Sequence, residues 1–183
     1  FDHDIYDDVG PGACWAVCDY NHDNEGIIGG GMLCNSFITA PYAFSRKRPP
    51  GSKRWGLEHK EFQRTMYRRV VDVRGPFQEI PNFDARVRID PEVTDHWGIP
   101  AVRLSGQRHP YDRIGCQFMA DRAEEILKEA GAYYTWQGVG GGGLSGGQHQ
   151  AGTCRMGKDP QTSVTDKFGR VHDFDNLFIA DGS

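Results

Sequence analysis

The sequence predicts a mixed fold of α+β or α/β class, in which helices accompany an antiparallel sheet. Within the 183 residues, two segments carry apolar residues at helical spacing, and two short segments between them alternate apolar and polar residues at strand spacing. A third apolar segment, at 176–183, is typical of a strand that ends in a small acidic turn. A chain of this length suffices for one domain with its own core, or for two parts that complete something larger.

The two predicted helices differ in how clearly they are marked. The first covers 57–71, where apolar residues recur every three or four positions and basic residues share another face. The second runs from about Asp112 to Ala130 and has an i,i+4 pair, Glu124 and Lys128, on its surface. Gly131 then stands where a helix C-cap belongs.

Two alternating segments predict strands. RVRIDP at 86–91 and IPAVRLS at 99–105 flank TDHWG at 94–98, which has the composition of a turn. They form either a hairpin or two adjacent antiparallel strands.

Charge and hydropathy narrow the functional classes. A formal net charge of −4 and a pI near 6.0 provide no basic field, so nucleic acid is not an expected partner. The basic segment 45–54 is expected to be a solvated loop. Apolar stretches are far shorter than the roughly 18 residues that span a bilayer. The acidic start lacks the pattern of a signal peptide and an initiator Met, so the chain is expected to be a piece of a longer product.

Five cysteines do not predict a disulfide framework or a metal site. Their number is odd and their spacing irregular: Cys14, Cys18, Cys34, Cys116 and Cys154. With no CxxC pair and no matched histidine pair, zinc is not expected, and the thiols are expected to be mostly reduced and buried.

The glycine run at 138–147 contains a formal GxGxxG from Gly138 to Gly143. No helical period follows it, whereas a pyrophosphate needs a helix N-terminus there. We therefore expect a flexible crossing, or close packing of backbone against a bulky ligand, and not a nucleotide-binding loop.

The segment HQAGTCRMGKDPQTSVTDKFGRVHDFDNLFIADGS, at 149–183, has an unusual density of polar and small residues. A histidine three residues before Gly-Thr, a Cys-Arg-Met-Gly run, an Asp-Pro, an Arg-Val-His and a closing Ala-Asp-Gly-Ser follow in order. It resembles the C-terminal signature of the glucose-methanol-choline (GMC) flavoprotein oxidoreductases. The segment 86–131 is similar to the end of that family's substrate-binding domain, particularly in the bacterial sugar and polyol dehydrogenases.

The resemblance implies a domain organisation and an activity. Residues 1–147 would be a partial substrate-binding domain of antiparallel sheet and helices, and 148–183 would return to complete a Rossmann-like FAD-binding domain. The implied activity is FAD-dependent oxidation of a CH–OH group of a sugar, polyol or related alcohol, by hydride transfer to flavin N5. The alternative is a non-catalytic remnant of the fold that binds carbohydrate.

The resemblance also implies the site residues. His149 occupies the position of the family's catalytic histidine, and histidine is the side chain whose ordinary pKa suits proton transfer near neutral pH. Ala180, Asp181 and Gly182 would lie against the ribityl chain and the ring edge of FAD. His172 is expected to be structural, and the residues 154–156 are expected to hold the His149 loop.

Two family features are absent from the sequence. There is no strand–GxGxxG–helix unit for the ADP half of FAD, and the second catalytic His or Asn would fall beyond Ser183. The chain is therefore expected to be a fragment, or one chain of a split enzyme, and to be inactive alone. Its expected partners are the polypeptide that carries these parts, a small sugar or alcohol, and an electron-acceptor subunit.

Overall fold

The computed structural model describes residues 1–5, 14–35, 40–138 and 151–183. The chain forms two compact units. One comprises Phe1–Ile80 and Pro110–Gly141, and the other comprises Pro81–His109 and Gly142–Ser183. His149 and most of the glycine run lie outside the described residues.

The first unit contains a small antiparallel sheet of three strands, in the order β1 (Ala16–Val17), β2 (Leu33–Asn35) and β3 (Val73–Arg74). Cys34 of the central strand lies opposite Ala16 on one side and Arg74 on the other. One buried cluster joins a residue of the sheet to two of the long helix described next: Leu33, Met119 and Ala123.

The long helix is α3 (Pro110–Glu129), which confirms the helix predicted from Asp112 to Ala130. Its end has the predicted glycine cap: Gly131 has a φ of 90°, its amide donates to Lys128, and the Ala132 amide donates to Leu127. These two bonds form a Schellman motif. Near the start of α3, the absence of a side chain at Gly115 admits the Phe77 ring, because a Cβ there would lie 2.0 Å from the ring edge.

The first predicted helix is shorter than its sequence pattern. After a single-turn helix, α1 (Pro41–Phe44), α2 covers Leu57–Met66 instead of 57–71. The chain beyond it has other partners: the carbonyls of Arg68 and Arg69 accept hydrogen bonds from the N-terminal segment, and Val73 and Arg74 pair with β2. Tertiary pairing thus ends a helix that the apolar period alone would continue.

The second unit contains the predicted hairpin, formed by β4 (Arg86–Thr94) and β5 (Pro100–Ser105). Asp95 sets the turn, because its Oδ1 accepts the amides of Trp97 and Ile99, each at 2.9 Å. Val87 faces Leu104 and Ile89 faces Val102, so that one face of the hairpin is apolar. All four side chains are more than half exposed.

Two further findings concern the described residues as a whole. The five cysteines are thiols, but Cys14 and Cys18 are exposed and the others are half-buried, so the expectation of buried thiols is wrong. Within the described ranges, no helix is both long and apolar enough to cross a membrane.

Replacing Asp112 with alanine is expected to destabilise the first unit. Asp112 is 2% exposed, and its Oδ1 accepts the Ile80 amide at 2.9 Å, where the chain leaves this unit. Leaving that amide without its acceptor should lower the free energy of unfolding by roughly 1–3 kcal/mol. Urea denaturation of Asp112→Ala beside Asp175→Ala, an exposed control, measures the difference. Equal stability of the two variants would refute the assignment.

Candidate active site

Two backbone hydrogen bonds bring together parts of the predicted site. The Gly152 amide donates to the Gly182 carbonyl at 3.1 Å, and the Cys154 amide donates to the Ser183 carbonyl at 2.9 Å. Gly152 has a φ of 87°, a conformation that favours glycine. The segment that follows His149 in sequence therefore lies directly against the predicted flavin-binding turn. His149 itself is outside the described residues.

The turn at 180–183 is open and acidic. Oδ1 of Asp181 accepts the Ser183 amide at 2.8 Å and also the Ser183 hydroxyl. These bonds, the hydroxyl first, lower the pKa of Asp181 below its ordinary value, so the side chain is a carboxylate at neutral pH. Ala180, Asp181 and Gly182 are all exposed. The turn thus presents an acceptor-only group between two small residues.

A compact frame of backbone bonds supports this turn. The Arg155 carbonyl accepts the Val164 amide at 3.0 Å, and the Gly157 amide donates to Thr165 at 2.8 Å. The Arg155 Nε donates to the Thr162 carbonyl at 2.7 Å. Thr165 is only 1% exposed. The residues at 154–156 thus act on the chain around them largely through their backbone.

His172 is held in the same frame. The Ser163 hydroxyl donates its single hydrogen to the Asp159 carbonyl at 2.6 Å, so it can only accept from Nε2 of His172, which lies 2.9 Å away. The His172 amide also donates to Val164. The tautomer that fits this geometry carries its hydrogen on Nε2, so that this atom is already used as a donor in the frame.

The predicted strand at 176–183 exists only as a bridge. Arg170 and Phe178 form an isolated antiparallel bridge, flanked by bonds from Val171 to Leu177 and from Ile179 to Gly169. The partner segment is short, and Gly182 and Ser183 pair with 152–154 instead. The strand prediction is therefore wrong in extent, although the acidic turn that ends the segment is present.

Gly169→Ala is expected to destabilise this bridge more than a glycine substitution elsewhere. Gly169 has a φ of 77°, and a Cβ there would lie 2.7 Å from the Ile179 carbonyl. Gly131 has a φ of 90° but nothing within 4 Å of a Cβ, so Gly131→Ala is a matched control for backbone strain. The clash should cost Gly169→Ala about 1–2 kcal/mol more than the control in unfolding free energy. Equal losses of unfolding free energy in Gly169→Ala and Gly131→Ala, measured by thermal denaturation, would contradict this prediction.

Comparison with known proteins identifies the family of the chain. Residues 81–183 match the GMC oxidoreductase family model, and the chain belongs to that family. GMC oxidoreductases are flavin-dependent.

Curated relatives are considerably longer than this chain. It is 30% identical to 2-methyl-1,2-propanediol dehydrogenase of Mycolicibacterium austroafricanum, over 90% of this chain and 31% of that protein. It is 41% identical to 6'''-hydroxyparomomycin C oxidase of Streptomyces lividus, over 56% of this chain and 18% of that protein. The chain is 28% identical to fructose dehydrogenase large subunit of Gluconobacter japonicus, over 70% of this chain and 24% of that protein. The chain thus spans less than a third of the length of these relatives.

Sequence reasoning missed the residues that hold the site together. The pairing of 152–154 with 182–183 joins distant positions in the chain, and the Ser163–His172 bond joins residues nine positions apart. Neither follows a periodic pattern. The only available signal was the concentration of Ser, Thr and Asp between 159 and 166, which favours local side-chain to backbone bonds.

Proposed function

We propose that this chain is part of an FAD-dependent oxidoreductase that oxidises a CH–OH group of a sugar, polyol or related alcohol. The observation that carries the proposal is the pair of bonds from Gly152 and Cys154 to Gly182 and Ser183, because it joins the segment after His149 to the turn predicted to meet the flavin. The names of the relatives support the substrate class, since they include a propanediol dehydrogenase and a fructose dehydrogenase.

The turn at 180–182 fits the middle of a flavin dinucleotide better than its pyrophosphate. A carboxylate accepts hydrogen bonds from hydroxyl groups and repels phosphate. Asp181 remains ionised and uses Oδ1 for Ser183, and Oδ2 has no protein partner among the hydrogen bonds of the described residues. In the proposal, Oδ2 accepts a ribityl hydroxyl, while Ala180 and Gly182 allow close approach.

The proton of the alcohol requires an acceptor on the protein. In the proposal a ring nitrogen of His149 takes the hydroxyl proton of the substrate as the carbon loses its hydride. FAD supplies the hydride acceptor, N5. His172 does not compete for this role through Nε2, since that atom donates to Ser163.

The proposed domains are a partial substrate-binding domain at 1–147 and a segment at 148–183 that completes a Rossmann-like FAD-binding domain. We propose that the polypeptide that carries the GxGxxG unit and the second catalytic His or Asn is a partner of this chain. The four side chains Val87, Ile89, Val102 and Leu104 are 54–70% exposed, and they form one contiguous face that is typical of an interaction surface. Fructose dehydrogenase is named as a large subunit, which supports an electron-acceptor subunit as a further partner.

Flavin content tests the proposed function. The complete protein that contains this chain should carry FAD in a ratio near one, visible as flavin absorbance and identified by release and mass measurement. Carbohydrate binding by the complete protein without any flavin would instead support the non-catalytic remnant.

A further inference from the structure

One carboxylate closes a tight loop at 166–170, within the second unit. Oδ1 of Asp166 accepts the Phe168 amide at 2.8 Å and the Arg170 amide at 3.1 Å. The Asp166 carbonyl accepts the Gly169 amide at 3.0 Å, and the Asp166 amide donates to the Arg170 carbonyl at 2.8 Å. Gly169 has the positive φ, 77°, that a tight turn of this kind requires. Every one of these bonds involves Asp166, and we call 166–170 the Asp166 loop.

The carboxyl group of Asp166 is ionised at neutral pH. The bond from the Phe168 amide, followed by the bond from the Arg170 amide and the Arg170 charge, lowers the pKa of Asp166 below its ordinary value. The Arg170 Nε lies 3.5 Å from Oδ2, so the second oxygen faces a cation. An aspartate or asparagine side chain has the length that bonds the amide two residues further on. The closure of the loop therefore depends on the side-chain length at this position.

The Asp166 loop holds the segment that leads into the turn at 180–183. The Gly169 carbonyl accepts the Ile179 amide at 2.8 Å, and the Val171 amide donates to the Leu177 carbonyl at 2.9 Å. Gly169 is buried, and a Cβ there would lie 2.7 Å from the Ile179 carbonyl, so the two backbones are in close contact. Ile179 directly precedes Ala180. The position of the loop thus sets the position at which the turn begins.

The far end of the same turn is held by other bonds. The carbonyls of Gly182 and Ser183 accept the amides of Gly152 and Cys154, and these bonds do not involve the Asp166 loop. The turn at 180–183 is therefore fixed at both of its ends, and Asp181 lies between them. A change at one end should displace the Asp181 side chain even while the other end stays bonded.

We propose that Asp166 is a positioning residue for the turn at 180–183, because its carboxylate fixes the loop that holds Ile179. It acts through the backbone of Gly169 and Ile179. The inference rests on the proposed function only where the turn meets the flavin. The hold on Ile179 involves no cofactor and is tested separately.

Hydrogen exchange in the complete protein tests the hold on Ile179, with mass spectrometry of the peptide that spans 176–180 as the measurement. Asp166→Ala leaves the amides of Phe168 and Arg170 without their acceptor, so exchange in this peptide should become about tenfold faster. Asp173→Ala, which removes an exposed carboxylate from the same unit, should leave the exchange rate unchanged. Equal exchange rates in Asp166→Ala and Asp173→Ala would overturn the proposal.

Two milder variants separate positioning from a general loss of structure. Asp166→Asn keeps an oxygen that can accept both amides, so exchange at 176–180 should stay within about twofold of the native rate. Asp166→Glu keeps the charge but carries its oxygens one methylene further out, so exchange should be faster, as in Asp166→Ala. This pair decides the matter even if Asp166→Ala fails to fold. Fast exchange in Asp166→Asn, or native exchange in Asp166→Glu, would contradict the positioning role.

The consequence for the flavin is tested in the complete protein. Asp166→Ala should raise the dissociation constant for FAD about fivefold, because a displaced Asp181 loses its bond to a ribityl hydroxyl. Asp166→Asn should restore the native affinity. Faster exchange at 176–180 with unchanged FAD affinity would overturn the positioning of the turn toward the flavin and leave the proposed function standing. A native complete protein that carries no flavin would instead count against the proposed function.

Discussion

His149→Ala is expected to slow flavin reduction by substrate about a hundredfold or more in the complete, flavin-loaded enzyme. The alcohol proton must leave as the hydride departs, and no other histidine in the signature has the same offset from Gly152 and Thr153. The bonds from Gly152 and Cys154 tie the segment just after His149 to the predicted flavin turn. Anaerobic rapid mixing, with the loss of oxidised-flavin absorbance as the signal, measures the rate.

His172→Ala is the control for this prediction. His172 donates from Nε2 to Ser163, so its loss should cost about 1 kcal/mol of stability and change the reduction rate only a few-fold. Near-normal reduction in His149→Ala would remove His149 from the mechanism. A hundredfold loss in His172→Ala alone would instead assign the catalytic role to His172.

The second large effect concerns cofactor binding: the isolated chain is expected not to retain FAD. A dinucleotide is held mainly through its pyrophosphate, by glycine-loop amides at a helix N-terminus. The sequence offers no strand–GxGxxG–helix unit. The open turn at 180–183 carries the ionised side chain of Asp181, which repels phosphate. The remaining contacts are too few to offset the lost freedom of so large a ligand.

Calorimetric titration of the isolated chain with FAD, followed by gel filtration, measures this directly. Binding should be undetectable at micromolar chain concentration and should appear when a polypeptide with the GxGxxG unit is added. If the chain alone retained stoichiometric FAD through gel filtration, the interpretation that it holds only part of the FAD-binding site would be wrong.

Regular elements with a strong local pattern were predictable from the sequence. The stripe of α3, its Glu124–Lys128 pair and the Gly131 cap were all predicted, and each depends on residues within a few positions of one another. The hairpin followed from alternation on both sides of a turn. The apolar patterns gave wrong bounds where pairing with other segments decides the structure, as at the end of α2 and at 176–183.

The candidate site could be predicted only in part, and for a related reason. The signature at 149–183 indicated which residues belong together, and the family match at 81–183 agrees with it. The bonds that unite the described part of the site join Gly152 to Gly182 and Ser163 to His172. Small and polar residues form such bonds without a period, so their pairing cannot be deduced from spacing.

Anaerobic mixing of the complete protein with a panel of sugars and polyols tests the central claim most directly, with flavin absorbance followed in time. The account predicts that at least one alcohol of this class reduces the bound flavin, that a carbonyl product forms in equal amount, and that His149→Ala abolishes the fast phase. A complete protein that binds carbohydrate but contains no flavin, or whose flavin stays oxidised with every alcohol tested, would contradict it.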